Sequence, residues 1–257
     1  MATELVKCEV SDYVALVTMD NPPVNAQNTQ FHHDMMLTFD TLSDRDDVRA
    51  VVLTGAGKNF SAGADIKGRA GKTRGLGEAW QHNRNARECF HSIVECRKPV
   101  IGAVNGVALG AGLAVAASCD ILFAAENTLI GLPEINVGLL GGGRHAMRLF
   151  GHSTVRRMMF TGYRIPGPEL YRLGVVEACV APDALLDTAM DMARDIAAKS
   201  PIAMGLAKEA LNAIEEMSLR DGYRYEQNKT TELSKYDDSR EAMLAFAEKR
   251  DPVFKGR

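Results

Sequence analysis

With 257 residues, 46% of them apolar, and a formal net charge of −3, the chain can bury one large core and carries no field that would gather nucleic acid or anionic lipid. Its five cysteines (Cys8, Cys89, Cys96, Cys119, Cys179) show neither CxxC nor Cys/His metal spacing, so reduced thiols and no metal are expected. Met1-Ala2-Thr3-Glu4 lacks a basic-then-apolar leader pattern and no apolar run reaches the roughly 18 residues of a membrane span, which predicts a soluble, cytoplasmic protein.

Val6 to Met19 alternates about a Ser11-Asp12 turn signal, predicting a hairpin that Asn21-Pro22-Pro23 ends. Helical spacing from Thr29 to Leu42 and the charged turn Asp44 to Asp47 lead to an apolar strand, Val48 to Thr54. Gly68 to Asn85, rich in Gly, Arg and Lys and holding Trp80, reads as a long functional connection. Beyond a helical stretch through Phe90 and Ile93 come a strand at Pro99–Val104, a small-residue helix at Leu109–Ser118, and strands at Asp120–Ala124 and Leu129–Gly131. From Pro182 the period is helical: Ala184–Lys199, Pro201–Met217 and a last segment through Arg250. Composition and period give an α/β class.

Two small-residue turns, Phe60 to Lys67 and Asn105 to Gly112, each follow a predicted strand and are expected to open a helix. Helix starts carry unpaired N–H groups, so two converging ones would hold a carbonyl oxygen that becomes an oxyanion. Either turn alone reads as well as a plain tight turn. Neither is a GxGxxG or Walker A phosphate loop, which leaves nucleotide chemistry without support.

Asn21-Pro22-Pro23-Val24-Asn25-Ala26, the Ser61-to-Lys67 turn, Lys98 to Gly106, Cys119-Asp120, Leu132-Pro133-Glu134 and Ala245 to Pro252 together resemble the enoyl-CoA hydratase/isomerase (crotonase) family, in family order over nearly the whole chain. The resemblance implies a crotonase-type ββα spiral core at residues 1–195 and a C-terminal helical trimerisation region at 196–257. It also implies a homotrimer or dimer of trimers, and no cofactor other than the coenzyme A of the substrate. It places an oxyanion hole for an acyl-CoA thioester at the N–H groups of Ala64 and Ala111. By the same resemblance Val24, Ala26, Ala62 and Ile66 border the CoA, and Phe246 and Lys249 reach the CoA of a neighbouring subunit. Read without it, Phe246 is helix packing and Lys249 a solvated charge.

Glu134 stands where the family carries a catalytic glutamate, the best proton carrier in the chain. The second glutamate of the hydratases falls at Ala114, which cannot activate water. Arg144 and His145 replace two glycines of the hydratase pattern. His145 is expected to titrate near neutrality and donate a proton or orient a carbonyl, and Arg144 to hold a carboxylate or carbonyl, unless both bridge helices instead. Asp65, beside a donor, reads as a functional carboxylate or as a turn or helix-cap residue. Weaker candidates are His82, His91, Arg69, Lys72 and Arg74 for CoA phosphates, and Tyr223 and Tyr225 for an acyl pocket. The reading is enoyl-CoA isomerisation or hydration with one glutamate. The alternatives are retro-Claisen hydrolysis of a cyclic β-keto acyl-CoA and, from another class, a non-catalytic acyl-CoA-binding protein.

Overall fold

The computed structural model describes residues 3–68, 71, 73 and 75–257, so Arg69, Lys72 and Arg74 lie outside the described residues. Strands β1 (Val6–Ser11) and β2 (Val14–Met19) form the expected hairpin, and α1 (Thr29–Asp44) follows, its start capped by Asn28, whose side chain accepts from the Phe31 N–H. Next come β3 (Ala50–Gly55), α2 (Glu78–Val94), β4 (Val100–Val104), β5 (Val107–Leu109), α3 (Ala111–Ala117), β6 (Ile121–Ala125) and β7 (Leu129–Gly131). A 3-10 turn (Pro133–Val137) leads to α4 (Gly143–Leu149), α5 (His152–Thr161), β8 (Arg164–Pro166), α6 (Gly167–Arg172) and β9 (Ala178–Val180). Four helices close the chain: α7 (Leu185–Ala197), α8 (Pro201–Ile214), α9 (Leu219–Leu233) and α10 (Asp237–Glu248).

The main sheet runs β1-β2-β3-β4-β6-β9, parallel from β2 onward; a second sheet, β5-β7-β8, stands beside it. A parallel sheet is covered on both faces, which explains why β3 and β4 read as continuous apolar runs. Val51 and Leu53 face the larger core with Phe31, Phe39 and Ile93, whereas Ala50 and Val52 face a second core closed by Ala189, Ala193 and Ala197 of α7. Helix α8 is pinned to this body by buried Lys208, whose Nζ lies 2.8 Å from Asp120 Oδ2 and donates to the carbonyls of Ile93 and Lys98 at 3.1 Å each.

The long connection is shorter than expected, because α2 begins at Glu78. Only Cys89, Phe90 and Ile93 of α2 are buried, and its first turns, Trp80 included, are exposed, so the apolar period that would mark a helix is missing there. The three-residue strands β5, β8 and β9 are too short to show a period, and the last helical segment is two helices, broken at residues 234–236. Among the described residues no helix is long and apolar enough to cross a membrane, and no group of three or more His, Cys, Asp or Glu is placed to hold a metal ion.

Candidate active site

Residues 24–27 and 62–65 run side by side as a short parallel ladder. The Ala62 N–H donates to Val24 O (2.9 Å), the Gln27 N–H to Gly63 O (2.8 Å) and the Asp65 N–H to Gln27 O (3.0 Å). Gln27 thus bonds to the residues on either side of Ala64, which leaves the N–H of Ala64 pointing to the opposite edge. That edge faces residues 107–111, stitched to the same turn by Ser61 N–H to Val107 O (2.9 Å) and Leu109 N–H to Ser61 O (3.0 Å). The approach at Gly63 is so close that a Cβ there would overlap Leu109 O and lie 3.2 Å from Ala111 N, and its φ of 90° also favours glycine.

Each donor is aimed by its own peptide. In a trans peptide the C=O and N–H point in opposite directions. Gly63 O is held by the Gln27 N–H, so the Ala64 N–H is turned outward; Gly110 O is held by the Ala114 N–H at 3.1 Å, so the Ala111 N–H is turned out from the start of α3. Among the described residues neither N–H meets a protein acceptor. The expectation of two helix starts needs correction here: Ala111 begins a helix, but Ala64 lies in an extended segment, because the ladder with residues 24–27 competes successfully for its neighbours' hydrogen bonds.

Glu134 comes to this pair from the 3-10 turn. Its Oε1 lies so close to Gly110 that an added Cβ there would overlap it, and Gly110 has a φ of 57°. Oε2 is buried without a protein partner, and burial pushes the carboxyl above its ordinary range against a smaller opposing effect of its own backbone N–H. A carboxyl that holds its proton more tightly, with one oxygen uncommitted and the other against the glycine that precedes the Ala111 N–H, is suited to taking and returning a proton. Ala114 is 1% exposed on the core side of α3.

His145 and Arg144 part company on α4. The His145 ring meets Phe90 edge-on at 5.0 Å, and burial, with the charges of Arg148, His91 and Arg144, pushes its pKa down to about 4. The expectation that it titrates near neutrality fails, because a half-buried imidazole among cations stays neutral. Arg144 is exposed and ion-paired with Glu216, so it ties α4 to the connection between α8 and α9. Asp65 is a turn residue, its Oδ1 accepting the Gly68 N–H at 2.8 Å.

Val24, Ala26 and Ala62 are half-buried along the ladder, and Ile66 is exposed just beyond it. Phe246, 87% exposed, and Lys249 lie at the end of α10 in the C-terminal layer. Of the weaker candidates, His82 lies with its ring tilted against His32, centroids 5.8 Å apart, His91 lies 3.7 Å from Glu95, Tyr223 is exposed and the Tyr225 hydroxyl bonds Glu209 at 3.4 Å.

The family model described as enoyl-CoA hydratase/isomerase matches residues 9–257. The chain belongs to the enoyl-CoA hydratase/isomerase family. It is an enzyme of that family, with the same mixed α/β fold. A relative from Mycobacterium tuberculosis named (7aS)-7a-methyl-1,5-dioxo-2,3,5,6,7,7a-hexahydro-1H-indene-carboxyl-CoA hydrolase is 36% identical over 92% of this chain and 95% of its own. A short-chain-enoyl-CoA hydratase from Clostridium acetobutylicum is 35% identical over 92% of each. The crystal structure of an enoyl-CoA hydratase from Bacillus anthracis superposes with a TM-score of 0.93 at 29% identity, covering 99% of this chain and 100% of that one.

The residues that sequence reasoning passed over are Gln27 and Gly110. Gly110 lies in the Asn105–Gly112 turn, but the room it leaves for the Glu134 carboxylate depends on a contact across 24 positions of chain.

Proposed function

We propose that this enzyme binds an acyl-CoA with the thioester oxygen between the N–H groups of Ala64 and Ala111 and uses Glu134 as the single proton carrier of the resulting enolate. The reaction favoured is enoyl-CoA isomerisation, or hydration with Glu134 alone activating water. One observation carries it: a desolvated carboxylate with a buried, unpartnered Oε2 lies against the glycine that precedes one unpaired N–H. Preorganised donors of this kind are each worth roughly 2.7–4 kcal/mol in a transition state. Proton removal and return by one group fits isomerisation, because the same carboxylate serves both halves. The core-facing methyl of Ala114 leaves no second carboxylate at that place.

In this reading Val24, Ala26, Ala62 and Ile66 line the CoA path. Residues 1–195 form the catalytic core and 196–257 the region that joins copies into a trimer or dimer of trimers, with Phe246 and Lys249 reaching a neighbour's CoA. Support for the last point is the exposure of Met243 (62%), Leu244 (52%) and Phe246 (87%) on one short helix.

A second reading, retro-Claisen hydrolysis of a cyclic β-keto acyl-CoA, is supported by the neutral His145, able to hold an extra carbonyl without adding charge, and by the relative named as a hydrolase of a bicyclic diketo acyl-CoA. Mass spectrometry of wild type and Glu134→Gln in deuterated water, with a panel of enoyl-CoA and cyclic β-keto acyl-CoA thioesters, separates the cases. Deuterium uptake without mass gain of water marks isomerisation, and gain of water marks hydration or hydrolysis. Loss of either in the variant supports Glu134; thioester binding with no turnover across the panel leaves a binding-only protein.

A further inference from the structure

The donor at Ala64 is a backbone group, and the peptide that carries it, Gly63–Ala64, follows a glycine at φ 90°, where the chain has the most freedom to turn over. A turned peptide would present the Gly63 carbonyl to a developing oxyanion in place of an N–H. Two buried side chains bear on that peptide. Ser61, 0% exposed, donates its hydroxyl to Asn25 O at 2.7 Å, and the same oxygen accepts the Gly63 N–H at 3.2 Å and the Gln27 side-chain Nε2 at 3.2 Å. Gln27, also 0% exposed, supplies the backbone N–H that holds Gly63 O.

The Gln27 side chain is costly where it stands. Its Oε1 is buried without a protein partner, and burying an amide oxygen that no protein group bonds is destabilising, so a leucine or methionine would pack the same space more favourably. What the amide does make is the bond to Ser61. We propose that Gln27 and Ser61 are positioning residues for the reaction: together they lock the Gly63–Ala64 peptide in the orientation that keeps the Ala64 N–H facing the thioester oxygen. The Ser61 oxygen fixes the peptide before Gly63, the Gln27 N–H fixes the carbonyl after it, and the amide-to-hydroxyl bond ties the two restraints into one unit. Neither side chain touches substrate; both act through the backbone.

This inference rests on the assignment of Ala64 as an oxyanion donor, and the test keeps the two apart. Bound cinnamoyl-CoA, a conjugated thioester, absorbs at longer wavelength when donors polarise its carbonyl, so the shift reports the donors without turnover. In Gln27→Leu the expected result is a melting temperature equal to or above that of wild type, together with a reduced red shift and a kcat lowered about tenfold at nearly constant KM. Ser61→Ala should show the same loss of shift and kcat with a lower melting temperature, and Ser61→Cys should restore part of both. A wild-type red shift and kcat in Gln27→Leu would overturn the inference while leaving the donor assignment intact. No red shift in the wild-type protein despite binding would overturn the donor assignment and this inference with it.

Discussion

The two sides of the site are built from different materials. The donor side, residues 61–65 and 109–111, is backbone, fixed by main-chain hydrogen bonds of 2.8–3.1 Å and made of buried and half-buried residues. The facing side, residues 133–148, is side-chain chemistry on a 3-10 turn and a short helix, with Val137 (55%), Leu139 (45%) and Leu140 (77%) exposed to solvent in the single chain. Polarising a thioester is a demand that a rigid main chain meets in the same way for any acyl group. In the proposed reaction, choosing what then happens to the enolate falls to Glu134, His145 and their neighbours, where side chains can be exchanged without disturbing the sheet.

The largest effect expected on this contrast comes from Glu134→Gln. Removing the proposed proton carrier should lower kcat by about 10²- to 10⁴-fold, while thioester binding measured by calorimetry persists. The same variant should be more stable at neutral pH. Burial raises the Glu134 pKa above its unfolded value, so the folded state bears an ionisation penalty that is absent below the ordinary carboxylate pKa and grows as pH rises through the folded pKa. The gain in urea midpoint should therefore be present at pH 7 and vanish below about pH 4; a gain independent of pH would show that the carboxylate is not desolvated.

Next in size is a break on the donor side. Gly63→Ala drives a methyl into Leu109 O and forces a side chain onto a φ of 90°, so the two turns must separate. A loss of about 10²- to 10³-fold in kcat is expected, the scale of one lost oxyanion donor, alongside reduced thermal stability. Unchanged kcat in a folded variant would show that the closeness of the two turns is not what the chemistry uses.

A smaller, pH-dependent effect belongs to His145. Its folded pKa of about 4 lies below the unfolded value, so the unfolded chain binds the extra proton first, and stability is lost as pH falls from the ordinary histidine range through the folded pKa. The imidazole carbon-bound proton signal should titrate near pH 4, and His145→Phe should flatten the acid limb of the stability curve. Titration near pH 6.5 would place the ring in water instead.

The smallest effects separate two ion pairs of α4. Arg148 Nη1 donates to Ala117 O at 2.7 Å and its Nε meets Glu215 at 3.1 Å, so Arg148→Met strips a carbonyl at the end of α3 and should lower the urea midpoint measurably. Arg144 and Glu216 are both exposed, and Arg144→Ala should shift stability by no more than about 0.5 kcal/mol.

Much of this was legible from residues alone. The hairpin, α1, the buried β3 and β4 and the helical C-terminal layer follow from period and turn chemistry, and Ala64, Ala111 and Glu134 were picked out by motifs whose spacing resembles one family. The first turns of α2 and the three-residue strands β5, β8 and β9 were not, since a solvated first turn and a three-residue segment carry no period. Nor was the extended course of residues 62–65, which depends on pairing with residues 24–27 about 38 positions earlier. Local pattern decided which segments bury a face and where the chain must turn. Tertiary structure alone decided that an Arg144 reading as a substrate clamp would pair with Glu216, that His145 would be neutral, and that Gly110 would be the gap filled by Glu134. Charge state and close approach are set by what surrounds a group in space, and a sequence lists only what precedes and follows it.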